Sequence, residues 1–345
     1  MANDRDRAIA RVQALLESAG FYVTDAHHVR PTSFDLLGRR DSLLVIVKVL
    51  RNIDALDPAE AGRLLELSRL FPGSPLVVGQ TSGATKLEPG VVYGRYGVPI
   101  VVEESLRDFL LEGLPPFLFS SPGGIFARID GSRLHELRVA RSLSLGALAS
   151  VAGVSRRTIQ LYEEGAGAEM AVVERLESFL GETVALALDL FGPVGDDNAR
   201  RGRPSATPEP AAGGGDSSLA TPPARPSEPA RTGDPMRDSV FRQLDGMGWE
   251  VVVTVRCPFD AFTRSETRHD QEILLTSVGS LRTAQHRAEL LLQLAHVAEG
   301  HAFYVVRDSP TRTTIEGLPI VSVQELKRSR DPAELVELIA EREGA

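Results

Sequence analysis

The chain has 345 residues, 42% of them hydrophobic, with 38 Lys and Arg against 47 Asp and Glu, a formal net charge of −9. That length holds two or three packed domains, and that charge excludes a polycation held on nucleic acid by its global field, so any such contact must come from a local basic face. One cysteine, Cys257, excludes an internal disulfide and a cysteine-based zinc cluster, and fits a reducing cytoplasm.

The opening residues "MANDRDRAIA" are charged and do not read as a secretory signal. The apolar run "LLVIVKVL" (43–50) is far shorter than the ~20 residues that span a bilayer. A soluble, cytoplasmic protein with no membrane partner is expected.

In chain order, residues 9–23 give an amphipathic helix, a glycine, an aromatic and an apolar strand. "TSFDLL" and "LLVIVKVL" follow as strands, then the leucine-rich helix "AGRLLELSRLF", the strand "SPLVVG", and "YGVPIVVEESLRDFL" leading into a helix. Residues 240–253 restart the same series: "CPFDAF", "EILLTSVG", "RAELLLQLAHV", "AFYVV" and "EGLPIVSVQELKRSR" match in order, aligning Asp260 with Asp35. This order predicts a duplicated α/β unit.

Between the copies, "LPPFLFSSPGG" (114–124) breaks the helix before it, and its phenylalanines read as packing between blocks. A Pro-, Gly- and Ser-rich stretch, residues 192–235, reads as a disordered linker. The predicted division is 1–113, 125–191, the linker 192–235, and 236–345.

The block 125–191 reads as all-helical. Ser132 is placed as a cap of the helix 132–142, and Ser144 as the cap of a helix whose apolar residues Leu145, Leu148, Ala149 and Ala152 share one face. Gly153 supplies a left-handed turn, and Ser155 caps a further helix. Ile159 and Tyr162 then point inward, leaving Arg156, Arg157 and Gln160 outward from its first turns. Two helices joined by a tight glycine turn, the second with an exposed polar start, form a helix-turn-helix. Arginine can read guanine, and glutamine adenine, with paired hydrogen bonds in the major groove. A purely structural helical hairpin is the plainer alternative.

The stretch "LRVARSLSLGALASVAGVSRRTIQLYEEG" (137–165) resembles the Cro and phage-repressor family of helix-turn-helix domains. The resemblance implies double-stranded DNA as partner, base contacts from Arg156, Arg157 and Gln160, and a phosphate contact from Ser144. Ser155 and Thr158 at the same helix start complete the candidate DNA-binding set. Leu161 is apolar where the family often has a polar residue. Helices over 168–180 and 182–191 would complete a five-helix core.

The α/β copies resemble the PD-(D/E)xK nuclease fold, which implies an Asp at a strand end and an acidic residue and a Lys two positions apart on the next strand. Asp35 and Lys48 match, but Ile46 stands at the acidic position; beside Asp260, Leu274 and Thr276 take the other two places. Neither copy presents two carboxylates for a hard cation, so no catalytic residue, metal or cofactor is expected. A carboxylate moved to Glu17, Glu60 or Glu66 is the alternative that would keep a metal-dependent endonuclease open. Over the full length, the chain resembles an archaeal family of helix-turn-helix transcriptional regulatory proteins. The expected fold is multidomain α+β, two restriction-endonuclease-like units flanking an all-α helix-turn-helix domain. The expected function is transcription regulation at the nucleoid by a homodimer, with an unidentified small-molecule effector as a further candidate partner.

"RRGRP" (200–204) contains the Arg-Gly-Arg-Pro core of an AT-hook and reads as an auxiliary DNA anchor. His27 and His28 are adjacent, so on a strand their rings point to opposite sides and do not share a metal.

Overall fold

The computed structural model describes residues 4–25, 32–192, 232–266 and 271–343. The AT-hook-like stretch, nearly all of the linker, and His27 and His28 lie outside the described residues.

The first copy comprises α1 (Asp4–Ser18), β1 (Tyr22–Asp25), β2 (Leu36–Arg40), β3 (Leu43–Asn52), α2 (Pro58–Leu70), β4 (Ser74–Ser82), β5 (Thr85–Lys86), β6 (Val91–Arg95), β7 (Val98–Val101) and α3 (Glu103–Glu112). The middle block comprises β8 (Leu118–Ser121), β9 (Gly124–Ile129), α4 (Gly131–Ala140), α5 (Leu145–Ala152), α6 (Arg156–Glu163), β10 (Gly167–Glu169), α7 (Met170–Leu180) and β11 (Ala185–Leu186). The second copy comprises α8 (Pro235–Gly246), β12 (Glu250–Val253), β13 (Ala261–Glu266), β14 (Gln271–Val278), α9 (Leu281–Ala298), β15 (His301–Val306), β16 (Thr314–Ile315), β17 (Leu318–Ser322), α10 (Val323–Arg328) and α11 (Pro332–Glu343).

The two sheets open with the same order of strands. The first sheet begins β1-β2-β3-β4-β7-β6, and the second runs β12-β13-β14-β15-β17-β16. In both, an antiparallel strand pair opens the sheet, a parallel pair follows the long helix (β4 with β7, β15 with β17), and the last strand folds back antiparallel. The near-continuous apolar run of β3, buried from Leu44 to Val49, is the signature of a strand covered on both faces.

The described residues divide into two compact units, one of residues 4–19, 47–68 and 74–192, the other of 20–25, 32–46, 69–73, 232–266 and 271–343. In the second unit, Tyr22 meets the His296 ring edge-on at 5.0 Å, and Phe71 packs against Phe259 and Phe262. The Ser33 amide donates to the Arg256 carbonyl at 2.7 Å, and Arg39 pairs with Glu299 at 3.0 Å. Its core is built on Phe241, Leu244, Trp249, Leu274, Phe303, Leu335 and Ile339.

In the first unit, α3 ends at Gly113 in the left-handed conformation, and the chain then re-enters the sheet. β8 pairs parallel with β6 (Val91 with Leu118, Val92 with Phe119), turns through Gly123 and Gly124, and returns as β9. β9 also pairs with β10 and β11. The middle block is therefore not all-helical, which corrects the expectation of five helices. Residues 182–191 form no helix: Val184, Leu186, Leu188 and Leu190 alternate with other residues at period two, a strand pattern, and β11 lies against β9. Ser74 reaches across this unit to the Phe191 carbonyl at 2.7 Å, and Phe109 packs against Phe191.

Candidate nucleic-acid interface

The helix-turn-helix is built by local capping. Ser144 sits before α5 in extended backbone, and its hydroxyl accepts from the Ala147 amide at 3.0 Å. Gly153 ends α5 in the left-handed region (φ 70°), which side chains rarely adopt. Ser155 repeats the cap for α6, accepting from the Thr158 amide at 3.1 Å, with the two hydroxyls 2.8 Å apart. Each such cap is worth about 1 kcal/mol. At the N-terminus of α4 the expected cap moves two residues: Asp130, not Ser132, accepts from the Arg133 amide, so the helix starts at Gly131. That start is tightly set, because a Cβ on Gly131 would lie 2.3 Å from the Glu163 carbonyl oxygen.

The core below the two helices holds Leu134, Leu148, Ala149, Ala152, Ile159, Tyr162, Val173 and Leu176, together with Ala127 and Ile129 of β9. Ile159 and Tyr162 face inward as their spacing predicts, and Leu145 is half-buried against the same core. Leu161 is half-buried there too, which explains its departure from a polar residue: it packs.

Two long-range contacts brace the helix-turn-helix. The Arg175 guanidinium donates twice to the Ala152 carbonyl, at 2.9 and 2.7 Å, closing the last turn of α5. Arg138 grips Glu163 through two nitrogens, at 2.5 and 3.0 Å, while His135 holds the same carboxylate at 2.9 Å. Burial pushes the Glu163 carboxyl up, but the bonds from Arg138 and His135 prevail and leave its pKa below the usual range. Neither Arg175 nor Arg138 carries a local sequence signal, since their partners lie 23 and 25 residues away.

With these contacts made, Ser144, Ser155, Arg156, Arg157 and Gln160 are exposed and Thr158 is half-exposed. The six candidate residues thus lie at the starts of α5 and α6. Arg157 donates to the Gln160 side-chain oxygen at 3.0 Å, holding the two in register while the Gln160 amide nitrogen keeps its donors. The Arg156 guanidinium folds back over α5, within 2.8 Å of where a Cβ on Gly146 would stand. The block's acidic residues do not all oppose this face. Glu163 is neutralised by Arg138, and Glu177 accepts from the Val184 and Ala185 amides at 2.8 and 3.0 Å. Two helix N-termini and two guanidinium groups make this an anion-favouring surface in a chain of net negative charge.

At the nuclease-like positions, Lys48 is 4% exposed and its ammonium lies 2.9 Å from Glu60 of α2. Glu60 is one of the three carboxylates singled out from the sequence. Ile46, two positions before Lys48 in the sequence, is fully buried. In the second copy, Asp260 pairs with Arg237 of α8 at 3.2 Å and accepts from the Val278 amide at 2.8 Å. Leu274 and Thr276 are fully buried, the Thr276 hydroxyl without a hydrogen-bond partner. No three His, Cys, Asp or Glu side chains among the described residues gather as a metal site. No helix among them is long and apolar enough to cross a membrane.

Residues 5–116 match the family described as a PD-(D/E)XK superfamily domain, and residues 134–186 match the helix-turn-helix family. Three full-length relatives are each named "Putative HTH-type transcriptional regulatory protein". The one from Halorubrum lacusprofundi is 33% identical over 338 residues, covering 98% of this chain and 97% of its own. The one from Halobacterium salinarum is 35% identical over 339 residues, covering 98% of each. The one from Methanocella arvoryzae is 32% identical over 340 residues, covering 98% and 97%. No solved structure matches.

Proposed function

The chain belongs to the archaeal family of HTH-type transcriptional regulatory proteins, and from that premise we propose that it regulates transcription by binding operator DNA through α6. The observation that carries the reading is the paired caps at Ser144 and Ser155, which leave the Arg157–Gln160 pair and Arg156 facing solvent from adjoining helix starts.

In this reading α6 enters the major groove. Arg157 and Gln160 meet base edges as a prearranged pair, and Arg156, lying toward the first turn of α5, reads the neighbouring base or its phosphate. Ser144, Ser155 and Thr158 approach the backbone, where the helix N-termini favour phosphate. The protein acts as a homodimer, two copies of α6 lying roughly one DNA turn, about 34 Å, apart. Occupancy of the operator then controls access of the transcription machinery. Residues 1–113 and 236–345 serve as scaffold and dimerisation domains around the DNA-binding domain 125–191. We assign them no catalysis, because Ile46 and Leu274 stand where a cation needs a carboxylate, and Thr276 stands where the pattern has lysine.

The test is a mobility-shift titration with competitor DNA on operators recovered by genome-wide mapping. Arg156→Ala/Arg157→Ala loses about 1–3 kcal/mol for each good base contact and relaxes specificity. Unchanged affinity and selectivity in that variant would remove α6 as the reading element. Incubation with Mg²⁺ or Mn²⁺ checks the rest: strand cleavage that Asp35→Ala abolishes would make the protein a nuclease.

A further inference from the structure

We propose that a cleft on the first copy, between the start of α1 and strands β3 and β4, binds a small polyanion carrying phosphate or carboxylate groups. The cleft encloses about 420 Å³ and is lined by Arg5, Arg7, Arg11 and Arg51, with Asp4 and Gln80. Its volume lies in the range of small-ligand sites. Four guanidinium groups line the cleft, and the two carboxylates that pair with them, Asp4 with Arg7 and Glu103 with Arg11, leave a local positive excess in a chain whose formal net charge is −9.

The arginines are positioned rather than scattered. Helical spacing brings Arg7 and Arg11 to one face of α1, and Arg5 donates to the Val49 carbonyl of β3 at 3.5 Å. Arg11 is held by Glu103 at 2.9 Å. Arg7 is held by Asp4. The Arg51 guanidinium meets no carboxylate among the described residues, although Val49 and Arg51, two apart on β3, both reach the cleft. Like charges brought together in a concavity repel one another, and that repulsion is relieved when an anion enters. Guanidinium forks suit phosphate and carboxylate oxygens, which they grip two at a time. The exposed Gln80 amide adds a neutral donor.

The site does not depend on the DNA-binding reading, so it is tested without DNA. Titration calorimetry of the full chain in low-salt buffer uses inorganic pyrophosphate and citrate as probes. The expected result is saturable one-to-one binding of at least one of them; which one binds tighter distinguishes a phosphorylated ligand from a carboxylated one. Arg7→Ala/Arg51→Ala weakens it about tenfold or more, and Asp4→Asn strengthens it. Melting curves establish that each variant is folded. Absence of saturable binding, or binding that Arg7→Ala/Arg51→Ala leaves intact, overturns the proposal. So does a loss of DNA affinity in that variant with no small-anion binding, which would make the cleft a backbone contact.

Discussion

The two α/β copies share a strand order and differ in how they keep a buried charge. In the first, Lys48 on β3 is answered by Glu60 from α2. In the second, the lysine position holds Thr276, and Asp260 is answered by Arg237 from α8, the counterpart of α1. An ion left in a protein interior costs several kcal/mol unless it is paired. Each region answers its charge from a different helix, and neither Ile46 nor Leu274 is acidic. The lesson is that a charged side chain can stay in a core by acquiring partners, and that its presence alone says nothing of catalysis.

The contrast can be broken most directly at the first pair. Lys48→Ala takes the ammonium from Glu60 at a largely buried site and is expected to cost about 3 kcal/mol, whereas Lys48→Met/Glu60→Leu, which removes both charges of the pair, recovers part of that loss. Urea denaturation of both variants reads the difference, and equal losses would show that packing, not charge, dominates there. In the second copy, Asp260→Ala strips an acceptor from Arg237 and from the Val278 amide, for a cost of about 2 kcal/mol by the same measurement. Arg237 is more exposed than Lys48, so water recovers part of the loss. Thr276→Val is the converse test. It removes a buried hydroxyl that has no partner while keeping the shape, and should raise stability by about 1 kcal/mol. A loss of stability there would mean that the hydroxyl is satisfied in solution.

The smallest effects are in pH dependence, and they separate regions of the chain. Glu163 in the middle block has a lowered pKa, so its contribution is present above the unfolded carboxylate value and fades as pH falls through the folded one. His301 in the second copy is raised: its bond to Glu343 outweighs the opposing effect of burial. Its contribution is full below the unfolded imidazole value near 6.5 and is lost as pH climbs through the folded value. Melting temperatures of Glu163→Gln should lose slope only on the acid side, and those of His301→Gln only above about pH 6.5. The same flattening in both variants would contradict the assignment.

Much of this was written locally enough to read. Phe-Asp recurs just before β2 and β13 and Pro-Ile-Val recurs on β7 and β17, and the caps at Ser144, Gly153 and Ser155 announce the helix-turn-helix within a dozen residues. What escaped lies in alternation mistaken for helix, as at Val184–Leu190, and in contacts that only folding assembles. Arg138 with Glu163, Arg175 with Ala152, and Arg237 with Asp260 join residues more than twenty positions apart. The closing helix α11 did carry a local signal, Pro332 at its first position and Leu335 and Ile339 one turn apart.

The hairpin of β8 and β9 has a practical consequence. It is hydrogen-bonded to β6 on one side and to β10 on the other, so the helical block is not a bead on a string. Cutting the chain between Gly113 and Gly124 to isolate either part would strip β6 or β9 of a neighbour and bare a row of backbone donors and acceptors. Such raw sheet margins recruit other chains. Dissected fragments of this protein should therefore clump unless the hairpin travels with its neighbours on both sides.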